Sequence, residues 1–535
     1  MMNTPTSDPI GAAWLIRHAS IELVSPLYVS SSIGGRRQTY KDGDVIHNAY
    51  QETARPLDTI IAHLQFHMRH EVLNLELLTR LFEQIGANDV QAWVNAEPTG
   101  SYARRMAFLY EWLMGQQLAV PSNLGGNYVD ALDAKKQVTS SPVHVIKNAR
   151  WRINDNLAGT RHFYPMLVKT ELFTQAAALD IATMVDKLND EFGQDLLMRA
   201  SVWMTLRESK ASFTIEGEGK ELKRIERFAD VMARRTGKGD IPLDPESLAE
   251  LQQEILGSKT IIQQYGIRQS PVFVSHTQVN GFKEIVHYIA PPADDIAEKL
   301  KGLLAFMEKT EGQSALIRSA VASFAFVYIH PLADGNGRVH RFLINDVLRR
   351  DQVIHEPIIL PISQAIAEHP SDRHAYDKIL DRLSVPLMEQ IRDHYSFDKQ
   401  AVTYPDGIRS NLNFEDSHLI QPGWRFMDLT PHVQYLSGLI AHVIEKEMHN
   451  ESQYLRQHDH ARLAIKEIIE MPNSYADRII RSMLQNKGAK SNKLLKDYPF
   501  LTNDEVWDDI FSVVVETFKD EADWLKRSMG FISLR

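Results

Sequence analysis

The stretch SAVASFAFVYIHPLADGNGRVHRFLINDVL, residues 319–348, joins apolar sequence to a dense group of charged residues and glycines. From Ser314 to Ile329 the chain is apolar on nearly every side of a helix, which predicts a helix buried in a domain core. Pro331 disfavours helical geometry for the residue before it, so we expect this helix to end near His330. The imidazole would then lie at the rim of the core.

The residues after His330 predict an anion-binding turn. Gly335 and Gly337 favour open or left-handed backbone and leave successive amides accessible. Helical periodicity then resumes, so the turn leads into a helix N-terminus, where free N–H groups and the positive end of the dipole bind phosphate. Arg338 and Arg341 are three residues apart, share a face near that end, and would add positive charge suited to a polyphosphate.

Two further residues complete a set suited to phosphoryl or nucleotidyl transfer. Asp334 offers the hard oxygen expected of a Mg²⁺ ligand, with the other positions taken by water and substrate. Histidine titrates in the range that would let His330 take a proton from a hydroxyl attacking phosphorus. A Walker lysine and a kinase-type glycine loop are absent from the sequence, so neither of those enzyme classes is indicated. Taken singly, these residues are typical of a helix end, a turn and a solvated helix face.

Taken together, HPLADGNGRVHR (330–341) resembles the signature of the Fic (filamentation induced by cAMP) family, H-P-F-x-D/E-G-N-G-R-x-x-R, with Leu332 replacing phenylalanine. An aliphatic side chain can fill that place beneath the turn. The resemblance implies a mainly helical protein that transfers AMP from ATP to a Ser, Thr or Tyr hydroxyl of a target protein and releases pyrophosphate. The implied roles are His330 as general base, Asp334 as Mg²⁺ ligand, Gly335, Asn336 and Gly337 as phosphate cradle, and Arg338 and Arg341 as ligands of the outer phosphates.

A second segment, SFTIEG, resembles the inhibitory motif of the same family, S/T-x-x-x-E-G/N, which lies N-terminal to the core. Here it runs from Ser212 through Glu216 to Gly217. The resemblance implies that Glu216 pairs with Arg341 and blocks productive seating of the γ-phosphate, because carboxylate and phosphate compete for one guanidinium. In isolation Glu216 would be interpreted as a solvated glutamate near a turn. With the His330 turn present, we expect autoinhibition.

A β-hairpin is predicted at residues 272–289. Asn280-Gly281 is a type I′ turn signal, and Pro291-Pro292 ends the second strand. The hairpin occupies the place of the flap that grips the target segment in Fic proteins, so the resemblance implies a protein substrate bound along it by strand addition. The alternative is a plain structural hairpin.

Helical periodicity dominates the chain, and we predict a mainly α fold: a helical Fic core with a small β-hairpin flap and helical N-terminal and C-terminal regions. A length of 535 residues suggests several domains. We expect a helical N-terminal region, an irregular connector with a short strand pair near 143–153, a Fic core containing the inhibitory motif 212–217, and a helical C-terminal region. In that order, the four regions are residues 1–125, 126–195, 196–395 and 396–535.

One helix of the core has clear end signals. In DPESLAELQQEILG, Asp244 is predicted as the N-cap, Pro245 takes the first helical position and Gly257 follows the last turn. In the C-terminal region, the locally basic residues 486–497 lie between predicted helices, which is more typical of a solvated turn than of a DNA-binding unit.

Charge and composition limit the partners. The 59 basic and 69 acidic residues give a net charge of −10, so we expect no nucleic-acid partner and no binding to an anionic membrane. The chain has no cysteine, which excludes disulfides, thiolate metal sites and cysteine nucleophiles and fits a reducing compartment. The longest apolar run is shorter than the ~20 residues that span a bilayer, and the first residues lack a leader pattern. We therefore expect a soluble, cytoplasmic protein.

The leading functional hypothesis is an autoinhibited protein adenylyltransferase that uses Mg²⁺ and ATP. One alternative is removal of AMP by the same site, with Glu216 orienting water and His330 protonating the leaving hydroxyl. Another is a nucleotide-sensing regulator with a DNA-binding C-terminal region, which the acidic balance disfavours. The sequence leaves open which protein is the target and whether a donor other than ATP is used. It also leaves open whether the chain forms a homo-oligomer.

Overall fold

The structure, a computed structural model, describes residues 8–277 and 284–519. Helices dominate it, which confirms the predicted mainly α class. The chain forms two compact units: the first holds the residues up to Ile181 with Thr205–Ala441, and the second holds Ala182–Met204 with the residues from His442 onward. Within the described ranges, no helix is both long enough and apolar enough to cross a membrane.

The secondary structure consists of helices and short strands. The helices are α1 (Ala12–His18), α2 (Ile60–His70), α3 (Leu75–Ile85), α4 (Ala87–Ala96), α5 (Ser101–Met114), α6 (Glu171–Ala177), α7 (Ile181–Phe192), α8 (Gln194–Ile215), α9 (Leu222–Arg235), α10 (Pro245–Leu256), α11 (Ala293–Lys309), α12 (Ala315–Ile329), α13 (Asn336–Arg350), α14 (Ile362–Glu368), α15 (Pro370–Gln390), α16 (Gln421–Arg425), α17 (Thr430–His442), α18 (His449–Ile468), α19 (Asn473–Gln485), α20 (Asn492–Asp497) and α21 (Asp504–Thr517). The strands are β1 (Asp8–Ile10), β2 (Val29–Ile33), β3 (Gln38–Asp42), β4 (Val45–Tyr50), β5 (Val129–Asp130), β6 (Ile146–Asn148), β7 (Ile153–Asp155), β8 (Phe273–Thr277), β9 (Glu284–Ile289), β10 (Ser396–Thr403) and β11 (Arg409–Asn413).

The first unit begins with a sheet that the sequence analysis did not predict. Its strands lie in the order β1-β2-β4-β3, with β2 parallel to β4 and β3 antiparallel to β4. Every residue of β3 is exposed and every residue of β4 is half-buried. These strands therefore lack the alternation of apolar and polar residues that identifies a strand in a sequence.

The connector that follows carries the predicted strand pair. β6 and β7 are antiparallel, with Ile146 opposite Asp155 and Asn148 opposite Ile153. β5 adds to β7 as a parallel third strand. The flanking turn residues predicted the β6–β7 pair, whereas β5, which is only two residues long, was not predicted.

Helix α12 forms the centre of the first unit. Each of its residues except Val327 is buried, which confirms the prediction of a helix enclosed on every side. It packs against α11 and α13. Because α12 has no solvated face, its C-terminal end fixes the position of whatever follows it.

The predicted end signals of α10 are confirmed. The Asp244 side chain accepts hydrogen bonds from the N–H groups of Glu246 and Ser247 at 3.1 and 3.0 Å. Pro245 is the first helical residue, and Gly257 follows the helix with φ 71°. A cap of this kind typically contributes about 1 kcal/mol to stability.

The predicted hairpin is present as the antiparallel strands β8 and β9, with a bulge between Val274 and Ser275. The predicted turn at Asn280-Gly281 lies outside the described residues. A second hairpin, β10 and β11, was not predicted. All eight residues of β10 are exposed, so this strand lacks the buried alternate positions that would reveal it in the sequence.

The second unit is helical, as predicted for the C-terminal region. Its core is formed by apolar residues of α18, α19 and α21, among them Ile465, Ile480 and Trp507. The first part of α8 joins this unit through an ion pair between Arg199 and Asp459, with 2.6 Å between Nη1 and Oδ2.

Glu208 of α8 joins that helix to the start of α14 within the first unit. Its buried carboxylate accepts hydrogen bonds from the N–H of Ser363 at 2.6 Å, the N–H of Gln364 at 3.3 Å, and the Ser363 hydroxyl. Burial raises the pKa of Glu208 to about 7, although these hydrogen bonds and the charge of Arg341 act in the opposite direction. This carboxyl therefore titrates near neutral pH.

We expect Glu208→Gln to change how stability depends on pH. The folded chain holds the Glu208 proton up to about pH 7, whereas an unperturbed glutamate releases it near 4.5, so stability from this group falls as the pH rises through that window. Glutamine keeps an acceptor but does not titrate. Relative to wild type, the free energy of unfolding of Glu208→Gln should therefore rise by up to about 3 kcal/mol between pH 4.5 and 7.

The measurement is denaturant unfolding of both proteins at several pH values, with the exposed Glu221→Gln as control. The control should differ from wild type by a constant amount. A pH-independent difference for Glu208→Gln as well would contradict the prediction.

Candidate active site

His330 follows the last residue of α12 and has a left-handed backbone, with φ 51° and ψ 56°. Its N–H still donates to the Phe326 carbonyl at 2.9 Å, so it caps the helix. Pro331 explains why the helix stops here, as predicted. A non-glycine residue in this conformation costs about 1–3 kcal/mol, and such strain is concentrated at functional sites.

The hydrogen bonds of His330 define which ring nitrogen can act as a base. Nδ1 lies 3.1 Å from the carbonyl oxygen of Val327. A carbonyl oxygen only accepts, so the neutral ring donates from Nδ1 and keeps the lone pair on Nε2. Burial, followed by the nearby charge of Arg268, lowers the pKa of His330 to about 4. The ring is therefore neutral at physiological pH, and Nε2 can accept a proton.

Asn336 closes the turn that follows. Its Oδ1 accepts from the Leu332 N–H at 2.9 Å, and its Nδ2 donates to the Leu332 carbonyl at 2.8 Å. Leu332 itself is fully buried and fills the place that the family signature gives to phenylalanine. Gly335 has φ 95°, which glycine adopts readily, and precedes α13. The Asn336 side chain thus supports the turn, and what it offers to a phosphate is its backbone N–H.

Two residues that the sequence analysis missed hold this turn from outside. Gln252 of α10 donates from Nε2 to the Asp334 carbonyl at 2.9 Å and accepts from the Gly266 N–H at 2.7 Å. Arg268 donates from Nε to the carbonyl of His330 at 2.8 Å. Both bind backbone groups of residues distant in the chain, so no local spacing marks them. Neither residue therefore left a signal in the sequence that could have found it.

Arg338 and Arg341 of α13 are both buried and lie on either side of one carboxylate. Oε1 of Glu216 is 2.6 Å from Nη2 of Arg341, and Oε2 is 3.0 Å from Nε of Arg338. Arg341 also donates from Nε to the Ser212 hydroxyl at 2.8 Å and from Nη2 to the Ser212 carbonyl at 3.2 Å. The structure thus places both Ser212 and Glu216 against Arg341, whereas the resemblance implied this contact for Glu216 alone.

The Glu216 carboxylate also covers the first turn of α13. A side-chain carbon added to Gly337 would lie 2.4 Å from Oε1 of Glu216. The absence of a side chain at Gly337 therefore makes room for an anion at this helix N-terminus, where the dipole favours negative charge. Gly217, with φ 79°, comes two residues after the end of α8 at Ile215 and lets the chain turn away.

Asp334 lies at the opening of this group of residues. Its side chain is 47% exposed, and Oδ1 is 2.8 Å from Nη2 of Arg338. Over the residues that the structure describes, no cluster of three or more His, Asp or Glu side chains could hold a metal ion. A metal at Asp334 would have a single carboxylate and otherwise bind water and substrate, which is the usual mode of Mg²⁺ at nucleotide sites.

The hairpin β8–β9 is rooted beside the same turn. The Tyr288 hydroxyl of β9 donates to the carbonyl of Tyr328 at 2.6 Å, two residues before His330. Ile267 forms an antiparallel bridge with Leu332. The hairpin and the imidazole are therefore neighbours in the folded chain.

Residues 242–348 match the model of the Fic/DOC family. "Protein adenylyltransferase fic-1" from Caenorhabditis briggsae is 26% identical over 129 residues, which are 24% of this chain and 23% of that protein. The protein of the same name from Caenorhabditis elegans is 28% identical over 130 residues, again 24% and 23%. "Protein adenylyltransferase Fic" from Drosophila mojavensis is 27% identical over 121 residues, 22% of each chain. These matches span less than a quarter of the length of the relatives.

Among solved structures, a Fic family protein from Desulfovibrio desulfuricans is 18% identical with a TM-score of 0.36, over 57% of this chain and 82% of that one. A Fic domain containing signaling protein from Bacteroides thetaiotaomicron is 16% identical with a TM-score of 0.28, over 53% and 94%. The family match includes the whole turn from His330 to Arg341 and does not include Ser212 to Gly217. The part of this chain that is similar to the Fic/DOC family is thus residues 242–348.

Proposed function

We propose that this chain is an autoinhibited protein adenylyltransferase, which transfers AMP from ATP to a Ser, Thr or Tyr hydroxyl of a target protein. The observation that carries the proposal is the Glu216 carboxylate seated between two buried arginines at the N-terminus of α13, beside a neutral His330. The names of the relatives support nucleotidyl transfer as the reaction class.

In the proposed reaction, the outer phosphates of ATP bind Arg338, Arg341 and the amides of residues 335–337. Nε2 of His330 takes the proton of the target hydroxyl as its oxygen bonds to the α-phosphorus. The bond from the α-phosphorus to the oxygen bridging to the β-phosphate breaks, and pyrophosphate leaves. AMP stays on the target as a phosphodiester. Asp334 would hold Mg²⁺, which when bound neutralises charge on the phosphate oxygens.

Glu216 would inhibit the reaction by taking the place of a phosphate. A carboxylate and a phosphate oxygen use the same guanidinium donors, and both are favoured at a helix N-terminus. Ser212 adds two further acceptors to Arg341, so a nucleotide must compete with all of these contacts. We infer that full activity requires Glu216 to leave its position.

The target segment would bind along the hairpin, residues 272–289. Strand addition supplies backbone hydrogen bonds that do not depend on side chains, so it fixes the register of a target without demanding one sequence. The contact of Tyr288 with the end of α12 supports this proposal, because it ties the hairpin to the element that carries His330. A hydroxyl on the added strand would then reach the imidazole.

We expect Glu216→Gly to raise AMP transfer, because it frees both arginines for phosphate. A charge-assisted contact of this kind is worth about 1.5–3 kcal/mol, which corresponds to a gain of about 10-fold or more. The measurement is incubation with Mg²⁺ and each nucleoside triphosphate, with intact-mass spectrometry of the protein and of lysate proteins. The mass increment names the transferred group.

Two variants complete this test. Glu221→Gly makes the same change at an exposed glutamate five residues further on and should behave as wild type. Glu216→Gly with His330→Ala should lose the gained activity. The proposal fails if Glu216→Gly modifies neither itself nor any lysate protein.

The metal requirement can be tested in the Glu216→Gly protein. We expect EDTA to abolish transfer and Mg²⁺ to restore it, because the substrate phosphates and Asp334 share the ion. Asp334→Asn should raise the Mg²⁺ concentration needed for half-maximal rate by about 10-fold or more. An unchanged Mg²⁺ dependence in Asp334→Asn would show that this carboxylate is not a ligand.

His330 should stay neutral down to about pH 5, because its pKa is about 4. We expect the NMR signal of its ring, identified by its loss in His330→Ala, to keep the shift of neutral imidazole from pH 8 to pH 5. Glu216 raises the pKa of His330, so Glu216→Gly should extend this neutral range further. A ring half protonated near pH 6.5 would contradict the assignment of a neutral base.

A further inference from the structure

Arg268 is one of the most completely buried charged side chains of the first unit, with 1% of its surface exposed. Its guanidinium makes three hydrogen bonds, all to backbone carbonyls: Nε to His330 at 2.8 Å, Nη1 to Ser270 at 2.6 Å, and Nη2 to Pro291 at 2.6 Å. The backbone N–H of Arg268 donates to the carbonyl of Pro331 at 2.8 Å. A guanidinium with these neutral acceptors does not receive the Coulomb energy of a carboxylate contact.

Burying such a charge is expensive, and core stability alone does not explain it. Moving a cation out of water costs several kcal/mol unless an anion compensates it. Burial accordingly lowers the pKa of Arg268 to about 10, with Tyr288 and then Asp406 acting in the opposite direction. The carboxylate of Asp406 is already engaged by the N–H of Gln269 and by the N–H and hydroxyl of Ser270.

The three acceptors of Arg268 share a functional location. Ser270 lies three residues before β8, and Pro291 lies two residues after β9, so they are the two roots of the hairpin. His330 is the candidate base, and its left-handed backbone is the strained point of the turn. One guanidinium therefore joins both ends of the hairpin to the residue that carries the imidazole.

We propose that Arg268 is a positioning residue that fixes the target-binding hairpin and the imidazole of His330 in one hydrogen-bonded unit. The planar fork can bind three carbonyls at fixed angles, which the ammonium of a lysine cannot reproduce. Holding the His330 carbonyl maintains the strained backbone, and holding Ser270 and Pro291 sets the distance from the hairpin to Nε2. The charge of Arg268 also disfavours protonation of the ring. The part concerning the target rests on the proposed function.

The test compares Arg268→Met, Arg268→Lys and Asp406→Asn, each in wild type and in Glu216→Gly. Asp406→Asn is the matched control, because it loosens the same hairpin root from a buried position without touching His330. Thermal unfolding first establishes that each variant is folded. The pH titration of the His330 ring by NMR and the affinity for ATP are then measured on each folded variant, with the rate of transfer to lysate protein measured in the Glu216→Gly series.

We expect Arg268→Met to raise the pKa of His330 by about one pH unit, since a nearby cation is lost. Arg268→Lys keeps a cation and should leave the titration of His330 nearly unchanged. If Arg268→Met does not fold, the test uses Arg268→Lys. Both variants should lower the rate of transfer to protein by about 10-fold or more, because a shift of about 1 Å between the target hydroxyl and the imidazole slows a reaction by at least that factor. The affinity for ATP should stay within about 2-fold of the parent. Asp406→Asn should leave the His330 titration as in its parent.

A folded Arg268→Met whose His330 titration and transfer rate equal those of its parent would overturn the proposal. So would a fall in ATP affinity parallel to the fall in transfer, which would indicate a general structural role. If the Glu216→Gly parent transfers nothing, the proposed function fails, and the NMR titration still decides whether Arg268 acts on His330.

Discussion

The end of α12 is the constraint on which the site depends. Because α12 is enclosed on nearly every side, its last turn cannot shift without disturbing the core. Pro331 ends the helix, His330 takes a left-handed conformation, and the Asn336 side chain closes the next turn on Leu332. α13 then begins only six residues after His330. The candidate base His330 and the N-terminus of α13 are thus held together by covalent geometry and a few buried hydrogen bonds.

The electrostatics of this helix end explain why an internal carboxylate is found there. Arg338 and Arg341 are buried near the positive end of the α13 dipole, an arrangement that is unfavourable unless an anion is close. Glu216 supplies that anion, and Asp334 neutralises part of Arg338. A triphosphate would satisfy the same need with more charge. On the proposed function, Glu216 and a bound triphosphate would each supply the anion that these buried arginines need.

The parts of the site that lie together in the sequence were predictable, and those assembled by the fold were not. The candidate site residues between 330 and 341 are neighbours in the chain. Their spacing and backbone preferences therefore predicted the helix end, the glycine turn and the paired arginines. Arg268 and Gln252 act on backbone carbonyls and amides far away in the chain, and a single buried arginine or glutamine has no sequence pattern. The strands β3 and β10 were missed for a related reason, because exposed strands have no apolar alternation to detect.

One part of the site did leave a pattern in the sequence that the motif resemblance alone did not use. Glu208 and Ser212 are spaced four residues apart on one face of α8, and Glu216 follows at the same spacing, one residue past the end of the helix. Their contacts follow that order, from Ser363 to Arg341 and then to the arginine pair. This face of α8 is therefore held by polar contacts rather than by apolar packing alone. Such contacts can be exchanged for water or for phosphate at a smaller cost than the exposure of a hydrophobic face, which fits the proposal that Glu216 leaves its position when a nucleotide binds.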